Sequence, residues 1–432
     1  APISLQDLRR RIYRKAKSDK AHRFWGIFVH VAKIETLKEA YRISRRNGGA
    51  HGIDGLSFEA VEAMGLDLFL EDIRQDLLSG NYKPRKNRRV DIPKAKGKVR
   101  TLQIPCIRDR VVQGALKLIL EAIFEADFCP NSYGYRPKRS PHLALAEVRR
   151  SVMRRMSTVI DVDLSSFFDT IQHDKLLRII AGRVQDPYVL ALIKKIIKAT
   201  GKVGVPQGGP FSPLAANIYL NEVDWAFDEI RCKTAQGPYE AVNYHRFSDD
   251  IIVTVSGHSS KRGWAKRALE RLEEELNPLG VHLNREKTRI VNTLEGETFG
   301  FLGFDFRRVP KENRNGYLIL MTPQKKARKA VKAKIRDIIR NSGSIPARDI
   351  VSVINAVLTG WVNYFRVGNS SRAFSEVRDY LEMKFRTLLT RRKRRKKRSI
   401  GWRRWSNEYL YNVLGLYWDW KIHHLKSPEA YR

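Results

Sequence analysis

Two acidic residues stand side by side in Tyr244-His245-Arg246-Phe247-Ser248-Asp249-Asp250-Ile251-Ile252-Val253. Apolar β-forming residues flank them, as in two strands joined by a tight turn. Adjacent carboxylates at the turn of a buried hairpin repel each other and lose hydration, and a divalent cation removes both costs. A bare Asp-Asp pair also occurs on ordinary solvated turns; the apolar run after this one sets it apart. A second run, Val159-Ile160-Asp161-Val162-Asp163-Leu164-Ser165-Ser166-Phe167-Phe168-Asp169, alternates as a strand does, so Asp161 and Asp163 face one side. Asp163 beside the Asp249 hairpin would gather three carboxylates. Two magnesium ions held there would activate a hydroxyl nucleophile and stabilise a leaving pyrophosphate. Magnesium suits a site of oxygen donors that it shares with substrate phosphates. The competing reading of Asp161, Asp163 and Asp169 is helix caps or surface acids. In Gly204-Val205-Pro206-Gln207-Gly208-Gly209-Pro210-Phe211-Ser212-Pro213-Leu214 the glycines let backbone approach a base or phosphate, and Gln207 could donate to a nucleotide. Taken alone, that run reads equally as a turn before a helix starting near Leu214.

The elements that must position these residues follow from periodicity. Residues 1–46 read as helical and basic, with Leu5, Leu8, Ile12 and Tyr13 on one side, then Ile34, Leu37, Ala40 and Tyr41. Asn47 to Gly52 breaks the helix, and a helical period returns from Ser57 to Leu78. Arg89 to Lys94 and Val99 to Pro105 read as two strands around a turn, a flap too basic for a core and suited to gripping phosphate. Thr158 to Phe306 mixes strand-like and helical runs, which predicts an α+β domain. After Thr322-Pro323, read as a cap and a first helical residue, three apolar stripes predict a small helical bundle. Arg391 to Arg398 is unbroken basic sequence, and Trp402, Trp405, Tyr409, Tyr411, Tyr417, Trp418 and Trp420 follow. Such a mixture suits RNA backbones and unstacked bases.

The chain has 432 residues, enough for two or three domains. Lysine and arginine total 82 against 46 acids, a net charge of +36. That excess calls for a polyanionic partner, and nucleic acid is the default. No apolar run is long enough to span a bilayer and no signal segment opens the chain, so a membrane partner is not expected. Cys106, Cys129 and Cys232 are scattered, which points to a reduced, intracellular (cytoplasmic) protein without a disulfide framework. The 10 histidines show no HxxxH spacing of the kind a zinc nuclease needs.

The order of these blocks resembles the reverse transcriptases encoded in group II introns. Asp163 to Asp169, Pro206-Gln207-Gly208-Gly209, Phe247-Ser248-Asp249-Asp250, Lys287 and Phe301-Leu302-Gly303-Phe304 resemble its palm. Gly52-Ile53-Asp54-Gly55 is similar to its N-terminal extension. The run from Ile92 through Arg100 to Gln113 is similar to its fingers, and Ser132 to Pro137 and His142 continue the match. Gly360 to Phe365 and Gly368-Asn369-Ser370-Ser371 resemble its thumb, the maturase domain. The likeness runs from about Leu37 to about Trp420.

The resemblance implies a right-hand polymerase of α+β class, with an antiparallel palm sheet and an α-helical thumb bundle. Residues 1–80 would form the N-terminal extension and the start of the fingers, 81–157 the fingers and 158–310 the palm. Residues 320–395 would form the thumb and 396–432 a basic, aromatic tail. It implies RNA-directed DNA synthesis of the bacterial type, on an RNA template with a DNA primer and dNTPs, and structured intron RNA as a further partner in splicing and mobility. Asp163, Asp249 and Asp250 would be the catalytic ligands of two Mg2+ ions, with Mn2+ as a substitute. Lys94 and Arg100 would grip the triphosphate, Phe168 would exclude a ribose 2′-hydroxyl, Gln207 would contact the nucleotide and Lys287 would support the site. Arg391, Arg392, Lys393, Arg394 and Arg395 are the expected RNA contacts. The family usually carries Tyr-Ala where this chain has Phe247-Ser248, which puts fidelity and primer handling in question. The sequence ends soon after the thumb block, so an endonuclease-lacking member is expected. Two alternatives stay open: an RNA-binding maturase with weak or no polymerase activity, and a domesticated or CRISPR-associated polymerase. An RNA-dependent RNA polymerase conflicts with the bulk of Phe168.

Overall fold

The computed structural model of the chain describes residues 3–93, 99–199, 201–235, 241–257, 263–312, 316–392, 404–423 and 425. Helix α1 (Leu5–Ser18) opens where the Ser4 side chain accepts the Asp7 N–H at 3.1 Å. The expected helical stretch over 1–46 is broken. The Asp19 carboxylate takes the N–H groups of Ala21 and His22, and Phe24 pairs its backbone with Val184 and its neighbours instead of continuing the helix. Two helices follow, α2 (Phe28–Val31) and α3 (Ile34–Asn47), the latter ended by Gly48 at φ 64°. The period from Ser57 to Leu78 is likewise two helices, α4 (Phe58–Ala63) and α5 (Leu66–Leu78), parted at Gly65, φ 99°. The flap forms as expected: β1 (Arg88–Pro93) pairs antiparallel with β2 (Val99–Ile104), Arg88 opposite Ile104. Helix α6 (Ile107–Phe124) is buried on almost every face, and Gly114 brings it close to Ala40 of α3.

The chain divides into two compact units. One comprises Ala1–Ser140, Val162–Val253 and Lys261–Arg289; the other comprises Pro141–Asp161, Thr254–Ser260 and Ile290–Arg432. Along the chain come α7 (Pro141–Met153), β3 (Thr158–Asp163), α8 (Phe167–Thr170), α9 (His173–Ala181), α10 (Pro187–Lys198) and α11 (Ser212–Thr234). Then come β4 (Val242–Phe247), β5 (Asp250–Val255), α12 (Trp264–Leu276) and β6 (Arg289–Asn292). Strands β3 to β6 make one sheet in the order β4-β5-β3-β6. A second sheet, β7 (Phe299–Phe301), β8 (Phe304–Pro310) and β9 (Tyr317–Pro323), is antiparallel throughout. Helices mixed with antiparallel strands bear out the α+β class.

Thr322 and Pro323 do not open a helix. They end β9, opposite Asp305 and Phe304, because the ladder with β8 runs to its last residue. The bundle starts three residues after Thr322, with α13 (Lys325–Arg340), α14 (Ala347–Phe365) and α15 (Ser371–Arg392). The three stripes meet around Ile335, Ile354, Leu358, Val377, Leu381 and Phe385. The aromatic tail departs from expectation. Trp405, Leu410, Leu414 and Leu416 are buried in the same core, and Tyr409, Tyr411, Tyr417 and Trp420 pack on it. A three-helix layer leaves apolar surface uncovered, and burying aromatic rings there releases more free energy than stacking them in water. Of the tail aromatics described, Trp418 is the one left largely open, 70% exposed.

Candidate active site

The β4–β5 hairpin is built from inside. Arg246, two residues before the turn, is wholly buried. Its five N–H donors are all taken. Nε and Nη2 bind the two oxygens of Asp224 at 2.7 and 2.5 Å, Nη1 donates to Asn217 and to the Ser248 carbonyl, and Nη2 also donates to Ser132. Burial works against its charge, but attraction and hydrogen bonding to Asp224 outweigh this and hold its pKa above the usual arginine value. The segment around Ser132 runs parallel to β4, with Tyr133 N–H on the Arg246 carbonyl at 2.8 Å. A Cβ on Gly134 would stand 2.5 Å from the Ser248 nitrogen, so only glycine fits against the turn. Ser248 itself adopts φ 60°, the left-handed conformation a two-residue hairpin loop demands. Sequence reading singled out the acids and missed Arg246; a charged residue inside an apolar strand was the available signal.

Asp249 and Asp250 project from this turn as exposed residues. Asp163 closes β3. Near the other end of that strand, Thr254 donates to Met156 and Gly257 N–H to the Arg155 carbonyl, so late β5 lies along early β3 and the strands run antiparallel. Asp163 is therefore at the turn end of the sheet. Segment 284–288 wraps it: Asn284 N–H donates to its carbonyl at 2.7 Å, its own N–H reaches Thr288 at 3.3 Å, and Lys287 Nζ sits 2.7 Å from its carboxylate. Among the described residues, no three His, Cys, Asp or Glu side chains are drawn close enough together to cage an ion. The donors nonetheless suit a hard cation in kind, being carboxylate oxygens on exposed or half-exposed residues, one already neutralised by an ammonium.

Phe168 lies half-buried in α8, its ring edge-on to Phe167 at 5.4 Å. Its carbonyl accepts the Val205 N–H at 2.8 Å, which ties α8 to the glycine loop. Gln207 turns its amide to the Asp169 carboxylate at 3.3 Å, and its carbonyl accepts the Gln103 N–H of β2 at 2.9 Å. The loop thus joins the root of the flap to α8. Arg100 lies on β2 opposite Ile92. Lys94 lies outside the described residues, as do Lys393, Arg394 and Arg395. Arg391 and Arg392 end α15 exposed, and Arg392 donates to the Gly343 carbonyl at 2.9 Å. In the second unit the segment 364–369 gathers several of the singled-out blocks. Tyr364 donates to the Leu302 carbonyl at 2.8 Å and its own carbonyl meets His142 Nε2 at 2.9 Å. Asn369 pairs with the backbone of Met321, and Gly368 abuts Phe304.

Residues 92–306 match the family model described as reverse transcriptase (RNA-dependent DNA polymerase). Residues 328–410 match the group II intron maturase-specific domain. The protein YkfC of Escherichia coli is 34% identical over 369 residues, 75% of this chain and 94% of its own length. The chain belongs to the group II intron reverse transcriptase/maturase family. The group II intron-encoded protein LtrA of Lactococcus lactis subsp. cremoris is 28% identical over 83% of the chain and 73% of its own. Nuclear intron maturase 4 of Arabidopsis thaliana is 25% identical over 55% of the chain, which spans 28% of that protein. Family membership brings a nucleotidyltransferase-type domain that depends on divalent metal and works on nucleic acid. Among the described residues, no helix is long and apolar enough to cross a membrane.

Proposed function

We propose that this group II reverse transcriptase is catalytically active and copies RNA into DNA from a DNA primer, using dNTPs. The observation that carries the reading is the position of Asp163 at the same end of the sheet as the Asp249-Asp250 turn, with that turn fixed by the buried Arg246–Asp224 pair. In this reading residues 81–157 act as fingers, 158–310 as palm and 320–395 as thumb of a right-hand polymerase. Asp163, Asp249 and Asp250 hold two Mg2+ ions, with Mn2+ able to replace them. When bound, the ions make the primer hydroxyl a better nucleophile and offset charge on the leaving pyrophosphate. Lys287 holds Asp163 in place through a 2.7 Å ion pair. Lys94 and Arg100 grip the triphosphate, Gln207 contacts the nucleotide, and the Phe168 ring fills the space a 2′-hydroxyl would need. Arg391 to Arg395, on the maturase domain, bind structured intron RNA and assist splicing.

Primer extension on poly(rA)/oligo(dT) with Mg2+ and dTTP, wild type against Asp249→Ala, tests it. Synthesis that the substitution reduces by about 10³-fold or more is expected. A wild-type protein that binds structured RNA tightly but extends nothing would leave a maturase without polymerase chemistry, with Phe247-Ser248 as the first position to revert.

A further inference from the structure

A cleft lies in the first unit, with a volume of about 730 Å³, bounded by α9, α10 and the segments at residues 169–172, 202–203 and 280–282. Lys194 and Lys198 face it from α10, one turn and about 6 Å apart. Lys202, four residues further on, also lines it. All three are exposed, and among the described residues none is paired with a carboxylate or a carbonyl. Their neighbour Lys195 behaves differently: its Nζ donates to the carbonyls of Gly80 and Tyr82, both at 3.0 Å, and serves the fold. On the acidic side stand Asp169, which accepts the neutral Gln207 amide, and Asp174, two carboxylates against three ammonium groups. His173 Nε2 ties this wall to the glycine loop through the Gly204 carbonyl at 2.7 Å.

We propose that this cleft carries a single strand of nucleic acid by its phosphodiester backbone, and that the strand is the RNA template ahead of the primer. The assignment to the template rests on the polymerase reading above. A line of compact ammonium groups suits successive phosphates; a single triphosphate calls for converging donors, and base or bidentate phosphate recognition calls for guanidinium forks. Asp169, the residue that holds Gln207, also lines the cleft, so a strand lying in it passes beside the residue read here as the nucleotide contact.

Fluorescence anisotropy on DNA-primed RNA, without dNTP, tests the proposal. The template carries a 5′ overhang of one nucleotide or of about ten. Wild type is expected to bind the long overhang more tightly. Lys194→Ala/Lys198→Ala/Lys202→Ala should lose about tenfold or more on the long overhang and within about twofold on the short one. The dependence of log affinity on log salt should flatten by about 2 for three lost phosphate contacts on a single strand. Replacing the same lysines by arginine should restore binding, which separates charge from damage to the fold. No overhang preference in wild type, or equal losses at both lengths, would overturn the proposal. So would a raised KM for dTTP with the overhang preference intact, because the cleft would then serve free triphosphate. Overhang binding does not require extension, so a wild type that shows it yet extends nothing sinks the polymerase reading and keeps the strand site.

Discussion

Arg246 is the residue on which the candidate site rests, although it would touch no substrate. Its partner Asp224 is as deeply buried, and both side chains are closed off from bulk solvent. Taking one member away leaves the other charged and unpaired, at a cost of about 3–5 kcal/mol. Arg246→Ala should therefore lose that much in urea unfolding. Arg246→Lys should lose nearly as much, because one ammonium cannot reach Asp224, Asn217, Ser132 and the Ser248 carbonyl together. A loss below about 1 kcal/mol in both would show that the turn is held by other contacts. The acids were legible in the sequence because two carboxylates between apolar runs are costly without a reason. Arg246 was not, because one charge in a strand does not announce which residue 22 positions away will neutralise it.

At the scale of elements, the flap depends on its root. Asp109, at the start of α6, is buried and accepts the Tyr82 hydroxyl at 2.7 Å and the Arg85 N–H at 3.1 Å, just before β1 begins. Burial pushes its pKa above the ordinary 3.8 against the pull of these bonds. A raised carboxyl pKa means that the folded state holds its proton more tightly than the unfolded chain. The stability contribution is thus full below pH 3.8 and is lost as pH rises through the folded value. Tyr82→Phe removes one of two donors from a buried acid and should cost about 1–3 kcal/mol. It should also raise the KM for dNTP more than it lowers kcat, since the flap moves and the aspartates do not. Equal effects on both would argue against the flap as a triphosphate grip. The flap was readable because two β-forming runs around a lysine-glycine turn have few other uses. The helix breaks at Asp19 and Gly65 were less so, because apolar periodicity survives a short interruption. Thr322-Pro323 carries good capping chemistry, yet pairing with β8 claimed it.

For the whole molecule, charge and apolar content pull in different directions, and the tail shows which one decides. A net charge of +36 makes every basic stretch look like an RNA contact, and the seven aromatics from Trp402 to Trp420 look like stacking platforms. Composition carries no information on burial, and that is why the tail was misread: Trp405 is 8% exposed, Trp418 70%. Among its described residues the tail is then two things, a lid on the bundle core and one outward ring. Leu410→Ala, which empties part of that core, should cost about 2–5 kcal/mol. Trp418→Ala should change stability by less than about 0.5 kcal/mol. Structured-RNA affinity should respond in the opposite sense: Trp418→Ala weakens it by about 1–3 kcal/mol if the ring stacks on a base, whereas Leu410→Ala acts only where the bundle has begun to unfold. Thermal unfolding followed by circular dichroism, with filter binding well below the melting transition, separates the two effects. If both substitutions left stability unchanged and weakened RNA binding alike, the tail would be an RNA arm after all, and the packing of Leu410 would be incidental to it.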